Sequence, residues 1–226
     1  SGRRSRFQTI YPQYMKRRQG TKMKLYDMKM APNPRRVRVF LAEKGIDNVE
    51  LLPVDIGKRE HKSDDYIANI NRMGQVPTLE LDDGTHISES MAISRYFEEI
   101  HPEPPLFGRN AKEKAQVEMW SRRAETNIIG CVAAAFRHTS DFFKGLEDQV
   151  PAWGESNKAK LSQRFAWLDG VLADRDFLTG DKYSVADITA MIGVDFARVV
   201  GVKVGDDWPN LARWHTSVAS RPSAKA

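Results

Sequence analysis

Two residue periods divide this chain into unlike halves. Met23 to Tyr26 and Val49 to Val54 are short apolar runs that read as strands. Between them Val37, Phe40 and Leu41 recur at three- and four-residue steps, the buried stripe of a helix. Asn33 is expected to cap that helix, Pro34 to fill its first position, and Gly45 to stop it just beyond Leu41-Ala-Glu-Lys44. Asp55 to Asn71 is polar and reads as loop with a short helix. Thr78-Leu-Glu-Leu81 and Thr85-His-Ile87 flank Asp82-Asp83-Gly84, whose Asp-Gly step predicts a tight hairpin. A helix from Glu89 to Ile100 follows, with Ile93, Phe97 and Ile100 on one side. The order β-α-β-(α)-β-β-α makes the first two strands parallel across a helical crossover, and the hairpin adds an antiparallel pair. The first half is thus a small mixed sheet with helices packed on it.

His101 to Asn110, with Pro102, Pro104, Pro105 and Gly108, reads as a linker. Beyond it the strand patterns stop. Val117, Trp120, Ala124, Ile128, Cys131 and Ala135 mark one long amphipathic helix, and Leu161, Phe165, Leu168 and Leu172 mark another. Ser184-Val-Ala-Asp187 is a capping box that opens a third helix toward Val200, and a fourth is expected from Trp208-Pro209 toward Ser220. The expected architecture is α/β plus all-α: residues 23–102, a linker of 103–110, and an all-helical domain of 111–226.

Composition narrows the class. The chain has 226 residues, 41% hydrophobic and 29% charged, as folded globular proteins do. Mean hydropathy is −0.54 and no apolar run is long enough for a membrane helix. One cysteine, Cys131, excludes an intrachain disulfide, and with five scattered histidines it gives no metal-ligand spacing. A reduced, cytoplasmic protein is the expectation. The net charge of +5 is misleading as a whole-chain figure. Residues 1–22 hold Arg3, Arg4, Arg6, Lys16, Arg17, Arg18 and Lys22 and no acid. Subtracting these seven from 35 leaves 28 basic residues against 30 acidic, so the remainder carries −2. The basic segment has no apolar core of a secretory signal and no nucleic-acid motif, and reads as a solvated extension. Neither a nucleic-acid nor a membrane partner is expected.

Gly74-Gln-Val-Pro-Thr-Leu79, Ile87-Ser-Glu-Ser-Met-Ala-Ile93 and Tyr183-Ser-Val-Ala-Asp-Ile188, in this order and across this two-domain layout, resemble the cytosolic glutathione transferases. The resemblance runs from Met23 to Pro222. Ala31-Pro-Asn-Pro-Arg-Arg-Val-Arg-Val-Phe-Leu-Ala-Glu-Lys-Gly45 looks most like an atypical branch of that family from fungi and proteobacteria. It implies a thioredoxin-like first domain, glutathione as co-substrate, an electrophilic second substrate, a homodimer, a detoxifying role and no metal.

The resemblance also implies residue roles. Glutathione carries two carboxylates, an ammonium and a thiol. Val76, before a cis Pro77, would offer its backbone to the cysteinyl unit as a strand edge does. Ser90, at a helix N-terminus, would take the γ-glutamyl carboxylate on its amide and hydroxyl, with Glu89 facing the ammonium. Ser88 fits a plain helix cap. His61 and Gln75 match positions that contact the glycyl end and backbone of glutathione, although Lys58-Arg-Glu-His-Lys62 fits a solvated face equally well.

Thiol activation is harder to place. A free thiol ionises near pH 8.5, and lowering that by two units takes about 2.7 kcal/mol of thiolate stabilisation. Most relatives put a hydroxyl or a cysteine before the first helix, but the matching position, six residues before Val37, is Ala31. That argues against a glutaredoxin-like thiol transferase. Tyr26 could substitute, yet it reads better as a core strand residue. What remains is the N-terminus of the helix at Pro34, with Asn33 as a donor. In the atypical branch a histidine and a hydroxyl on the long helix hold a water near the sulfur. His138 matches the histidine, and Thr139 or Ser140 could be the hydroxyl. Phe136, Phe142 and Phe143 would line an apolar second-substrate pocket between the domains. The sequence thus reads as a glutathione transferase that attacks an apolar electrophile. A non-catalytic glutathione-binding or protein-interaction module of the same fold is the alternative that Ala31 keeps open.

Overall fold

The computed structural model describes residues 23–226; the basic segment 1–22 lies outside the described residues. The first part runs β1 (Lys24–Asp27), α1 (Pro32–Glu43), β2 (Glu50–Pro53), α2 (Asp64–Asn69), β3 (Thr78–Glu80), β4 (His86–Ser88) and α3 (Ser90–Ile100). The sheet order is β2-β1-β3-β4, with β1 parallel to β2 and antiparallel to β3, and β3 antiparallel to β4. The register sets Leu25 opposite Leu51 and Leu79. Leu25 and Leu79 point into a core closed by Val37, Phe40, Ile93 and Phe97, all fully buried. Tyr26, one residue on, belongs to the opposite face as a pleated strand requires, with its ring edge-on to Tyr66 at 5.8 Å.

The start of α1 differs from the sequence expectation. Asn33 is not its cap: the N-cap is Ala31, without a side-chain bond, and Pro32 takes the first helical position. Proline's fixed φ suits that position, and its missing N–H would be unpaired there anyway. Pro34 then falls within the same first turn, where a missing N–H again costs no helical bond. The turn ahead of α1 is held by a buried ion pair of Arg38 with Asp27 and by Arg38 Nη2 donating to the Lys29 carbonyl at 2.7 Å.

The second part is helical: α4 (Ala111–Ala124), a π turn (Glu125–Ile129), α5 (Gly130–Thr139), α6 (Pro151–Val171), α7 (Val185–Phe196) and α8 (Pro209–Ala219). The π turn, closed by the Gly130 N–H on the Glu125 carbonyl, joins α4 and α5 into one long helix. Nearly every residue of α7 is buried, which makes it the central helix. Its start is the capping box of Ser184 and Asp187. Burial pushes the Asp187 carboxyl up to about 6, against hydrogen bonds from the Leu178 N–H, Trp214 Nε1 and Ser184.

Helix α1 is the hinge pin of the molecule, packed on α3 on one side and α7 on the other. Lys44 Nζ meets Glu98 Oε2 at 2.5 Å, and Glu98 in turn accepts the Phe107 N–H at 3.0 Å. Across the domains Arg35 pairs with Asp195 at 2.7 Å, Asp195 also meets His215 Nε2 at 2.8 Å, and Arg221 grips Glu43 through two bonds of 2.7 and 2.8 Å.

Candidate active site

The residues expected to bind a carboxylate stand where β4 turns into α3. Ser90 is the first residue of α3 and Glu89 its N-cap. Among the described residues the Ser90, Met91 and Ala92 amides make no intrachain hydrogen bond, and the Ile93 N–H closes the first turn on the Glu89 carbonyl at 2.9 Å. Glu89 itself has φ 69° and ψ 117°, an unfavourable conformation for a side chain, and it is exposed. The turn thus aims three free N–H groups one way and holds a carboxylate beside them.

Beneath this turn lies a side chain that the sequence reading did not single out. Arg36, in the second turn of α1, is 2% exposed. It donates to the Ser90 hydroxyl from Nε at 3.0 Å and from Nη2 at 2.5 Å, to Glu125 Oε1 at 3.0 Å and to Asn33 Oδ1 at 3.4 Å. Asn33, Arg36, Ser90 and Glu125 therefore form one connected group spanning α1, α3 and the π turn. A signal was available: Arg36 is four residues before Phe40, on the same helical face as the core.

Val76 and Gln75 occupy the turn ahead of β3. The Val76–Pro77 bond is cis. Among the described residues neither the N–H nor the carbonyl of Val76 makes a hydrogen bond, so an edge is left to pair. The Gln75 carbonyl is pinned by Tyr66 Oη at 3.0 Å and Asn71 Nδ2 at 3.1 Å, while its side chain is exposed. His61 lies in a short 3₁₀ turn (Glu60–Lys62) packed on this segment. A Cβ on Gly74, which has φ +58°, would come within 2.7 Å of the His61 carbonyl, so the two loops approach as only glycine permits. Burial, then Lys62 and Arg59, lowers the His61 imidazole pKa, and its Nδ1 is buried without a partner among the described residues.

On the thiol side, Tyr26 is engaged elsewhere. Its hydroxyl donates to Glu80 Oε2 at 2.8 Å, and burial with that bond pushes it up to about 12, the wrong direction for an anion-stabilising acid. The α1 terminus offers little: Pro32 and Pro34 have no N–H, and the Arg35 N–H closes on the Ala31 carbonyl at 3.2 Å. Only the Asn33 N–H in that first turn is left, together with its exposed side-chain amide.

His138 is near the end of α5, and no hydrogen bond joins it to the Asn33–Arg36–Ser90 group among the described residues. Its Nδ1 accepts the Val150 N–H at 3.0 Å, which leaves Nε2 as the donor of a neutral ring. Thr139 Oγ1 donates to the Ala135 carbonyl at 2.8 Å, and Ser140 Oγ accepts the Phe142 N–H at 3.2 Å. Close by, Phe136 lies parallel to Phe142 at 6.4 Å and edge-on to Phe143 and Phe196. Phe142 is 52% exposed, so this aromatic cluster is open to solvent. A cavity of about 350 Å³ lies elsewhere, between the linker and the loop before α7, beside Arg109, Glu113, Lys182 and Tyr183.

Two family descriptions match the chain: "Glutathione S-transferase, N-terminal domain" over residues 25–105 and "Glutathione S-transferase, C-terminal domain" over residues 154–222. Glutathione S-transferase 2 of Saccharomyces cerevisiae is 36% identical over 210 residues, which cover 90% of this chain and 88% of that protein. Among solved structures, a glutathione S-transferase domain-containing protein of Marinobacter aquaeolei superimposes with TM-score 0.84 at 42% identity, covering 88% of this chain and 98% of its own. The structure of Gtt2 from Saccharomyces cerevisiae does so with TM-score 0.84 at 35% identity, covering 89% and 98%.

Proposed function

Because this chain belongs to the glutathione S-transferase family, we propose that it binds glutathione across α3, the Val76 edge and the α1 terminus, and transfers it to an apolar electrophile. The single observation that carries this reading is a set of backbone donors left free on neighbouring elements. The first-turn amides of α3, the Val76 N–H and the Asn33 N–H are all unpaired among the described residues, on three elements of one domain. An extended peptide with a carboxylate at one end fits such a set.

In this reading Ser90 takes the γ-glutamyl carboxylate and Glu89 the ammonium. Val76 pairs with the cysteinyl unit, and Gln75 and His61 stand at the glycyl end. The thiol loses its proton to solvent, and the Asn33 N–H with the positive end of α1 holds the sulfur anion. His138, through Nε2–H, holds a water toward the sulfur. The thiolate lone pair then forms the carbon–sulfur bond while the leaving group departs with its bonding pair. Where the electrophile is an activated double bond, no group leaves: the π pair shifts to the neighbouring carbon, which takes up a proton from solvent. Phe136, Phe142 and Phe143 supply the apolar surface for the electrophile.

The enzyme is further proposed to act as a homodimer in a reducing, cytoplasmic compartment and to serve detoxification; the lone buried Cys131 suits such a compartment. A second reading, a glutathione-binding module without turnover, is favoured by Ala31 standing where a hydroxyl or thiol would otherwise lie.

The test is calorimetric titration of glutathione into the wild type and Ser90→Ala. Loss of a charge-assisted bond should weaken binding about tenfold or more. Equal affinities would remove Ser90 from the site.

A further inference from the structure

Arg36 is a cation buried inside the protein, and the described residues do not fully satisfy it. Its Nη1 is buried with no partner among the described residues, although Nε and Nη2 are fully engaged. The two bonds to Ser90 have a chemical consequence. A serine hydroxyl has two acceptor lone pairs and one hydrogen. Arg36 fills the acceptor side twice, so the hydroxyl is left to act as a donor. That hydrogen joins the free amides of the α3 first turn, and together they make a donor set with a positive charge underneath. Such a set selects a carboxylate.

Glu125 complicates the balance. It comes from the helical domain, at the start of the π turn, and its Oε1 meets Arg36 Nη2 at 3.0 Å with the carboxylate one-third exposed. Its charge opposes whatever field Arg36 projects toward α3. Burial lowers the guanidinium pKa, and Glu125 and Glu89 work against that lowering.

We propose that Arg36 is the positioning residue of the γ-glutamyl carboxylate site, fixing the Ser90 hydroxyl as a donor and supplying the charge beneath it, and that Glu125 tempers this charge and holds glutathione affinity below its maximum. The proposal rests on the glutathione reading above. It makes two neighbouring substitutions act in opposite directions. Arg36→Lys keeps a positive charge but loses the planar fork that places two N–H groups on one oxygen. Glu125→Gln keeps an acceptor for Nη2 and deletes the opposing charge.

The experiment is calorimetric titration of the full chain with two ligands: glutathione, and γ-aminobutyryl-cysteinyl-glycine, which lacks only the carboxylate of the γ-glutamyl unit and keeps its amine. Arg36→Lys should weaken glutathione about tenfold and leave the analogue within about twofold. Glu125→Gln should bind glutathione severalfold tighter with the analogue unchanged. Equal loss of both ligands in Arg36→Lys would mean a merely structural role, and weaker glutathione binding in Glu125→Gln would contradict the tempering; either overturns the proposal. Should Arg36→Lys fail to fold, Glu125→Gln, at a partly exposed position, decides alone. A wild type that binds neither ligand overturns the glutathione reading and this proposal together. A wild type that binds glutathione but fails these criteria overturns the proposal only.

Discussion

At the scale of single residues, Glu89 and Arg36 show how chemistry is set against stability. Glu89 holds φ 69°, a conformation that glycine adopts freely and glutamate adopts at a cost of about 1 kcal/mol or more. Glu89→Gly should therefore leave the thermal midpoint unchanged or raise it, while weakening glutathione binding through loss of the carboxylate. Calorimetric affinity and thermal unfolding measured on the same sample check this, and a destabilised variant with unchanged affinity would refute it. Glu89, Ser90 and Val76 stand out as candidates in the sequence because each belongs to a short run whose order is distinctive. Arg36 was not, since an arginine in a run of Arg35-Arg36-Val37-Arg38 looks like a solvated face. Only its place four residues before Phe40 marks it as interior.

Elements carry a different kind of information. The hairpin was readable from Asp-Gly, and Gly84 does take φ +84° between β3 and β4. The long helix of the second domain was readable as a stripe, but its π turn was not. A π turn accommodates one extra residue, and a four-residue step such as Ala124 to Ile128 passes for ordinary helical spacing. The cap of α1 moved from Asn33 to Ala31 because two prolines compete for the first turn and the sequence does not rank them. Helix contact also constrains α5. A Cβ on Gly154 of α6 would come within 2.6 Å of Thr139 Cγ2 and 3.0 Å of His138 Cβ. Gly154→Ala should force the end of α5 away and destabilise the fold by about 1–3 kcal/mol, as overpacking does. Chemical denaturation checks this, and an unchanged midpoint would show that the two helices yield without cost.

The whole molecule works as a clamp around α1. Its second turn carries Arg36 against Ser90 of α3, and its length is bound to the helical domain by Arg35–Asp195 and Glu43–Arg221. The burial of Asp195 would raise its carboxyl, but bonds from His215 and Arg35 outweigh that and hold it below the usual carboxylate range. Two domains were visible in the sequence through the change of period at the linker. Their mutual grip was not, because it depends on charged residues far apart in the chain.

In the proposed function glutathione is held as a thiolate although Ala31 stands where relatives carry a hydroxyl or thiol. Ultraviolet thiolate absorbance of glutathione bound to the purified chain, followed against pH, decides whether it is. A bound thiol ionising about two units below the free value near 8.5 is the predicted result. Saturable binding with an unshifted ionisation would contradict it and leave the chain a glutathione-binding module.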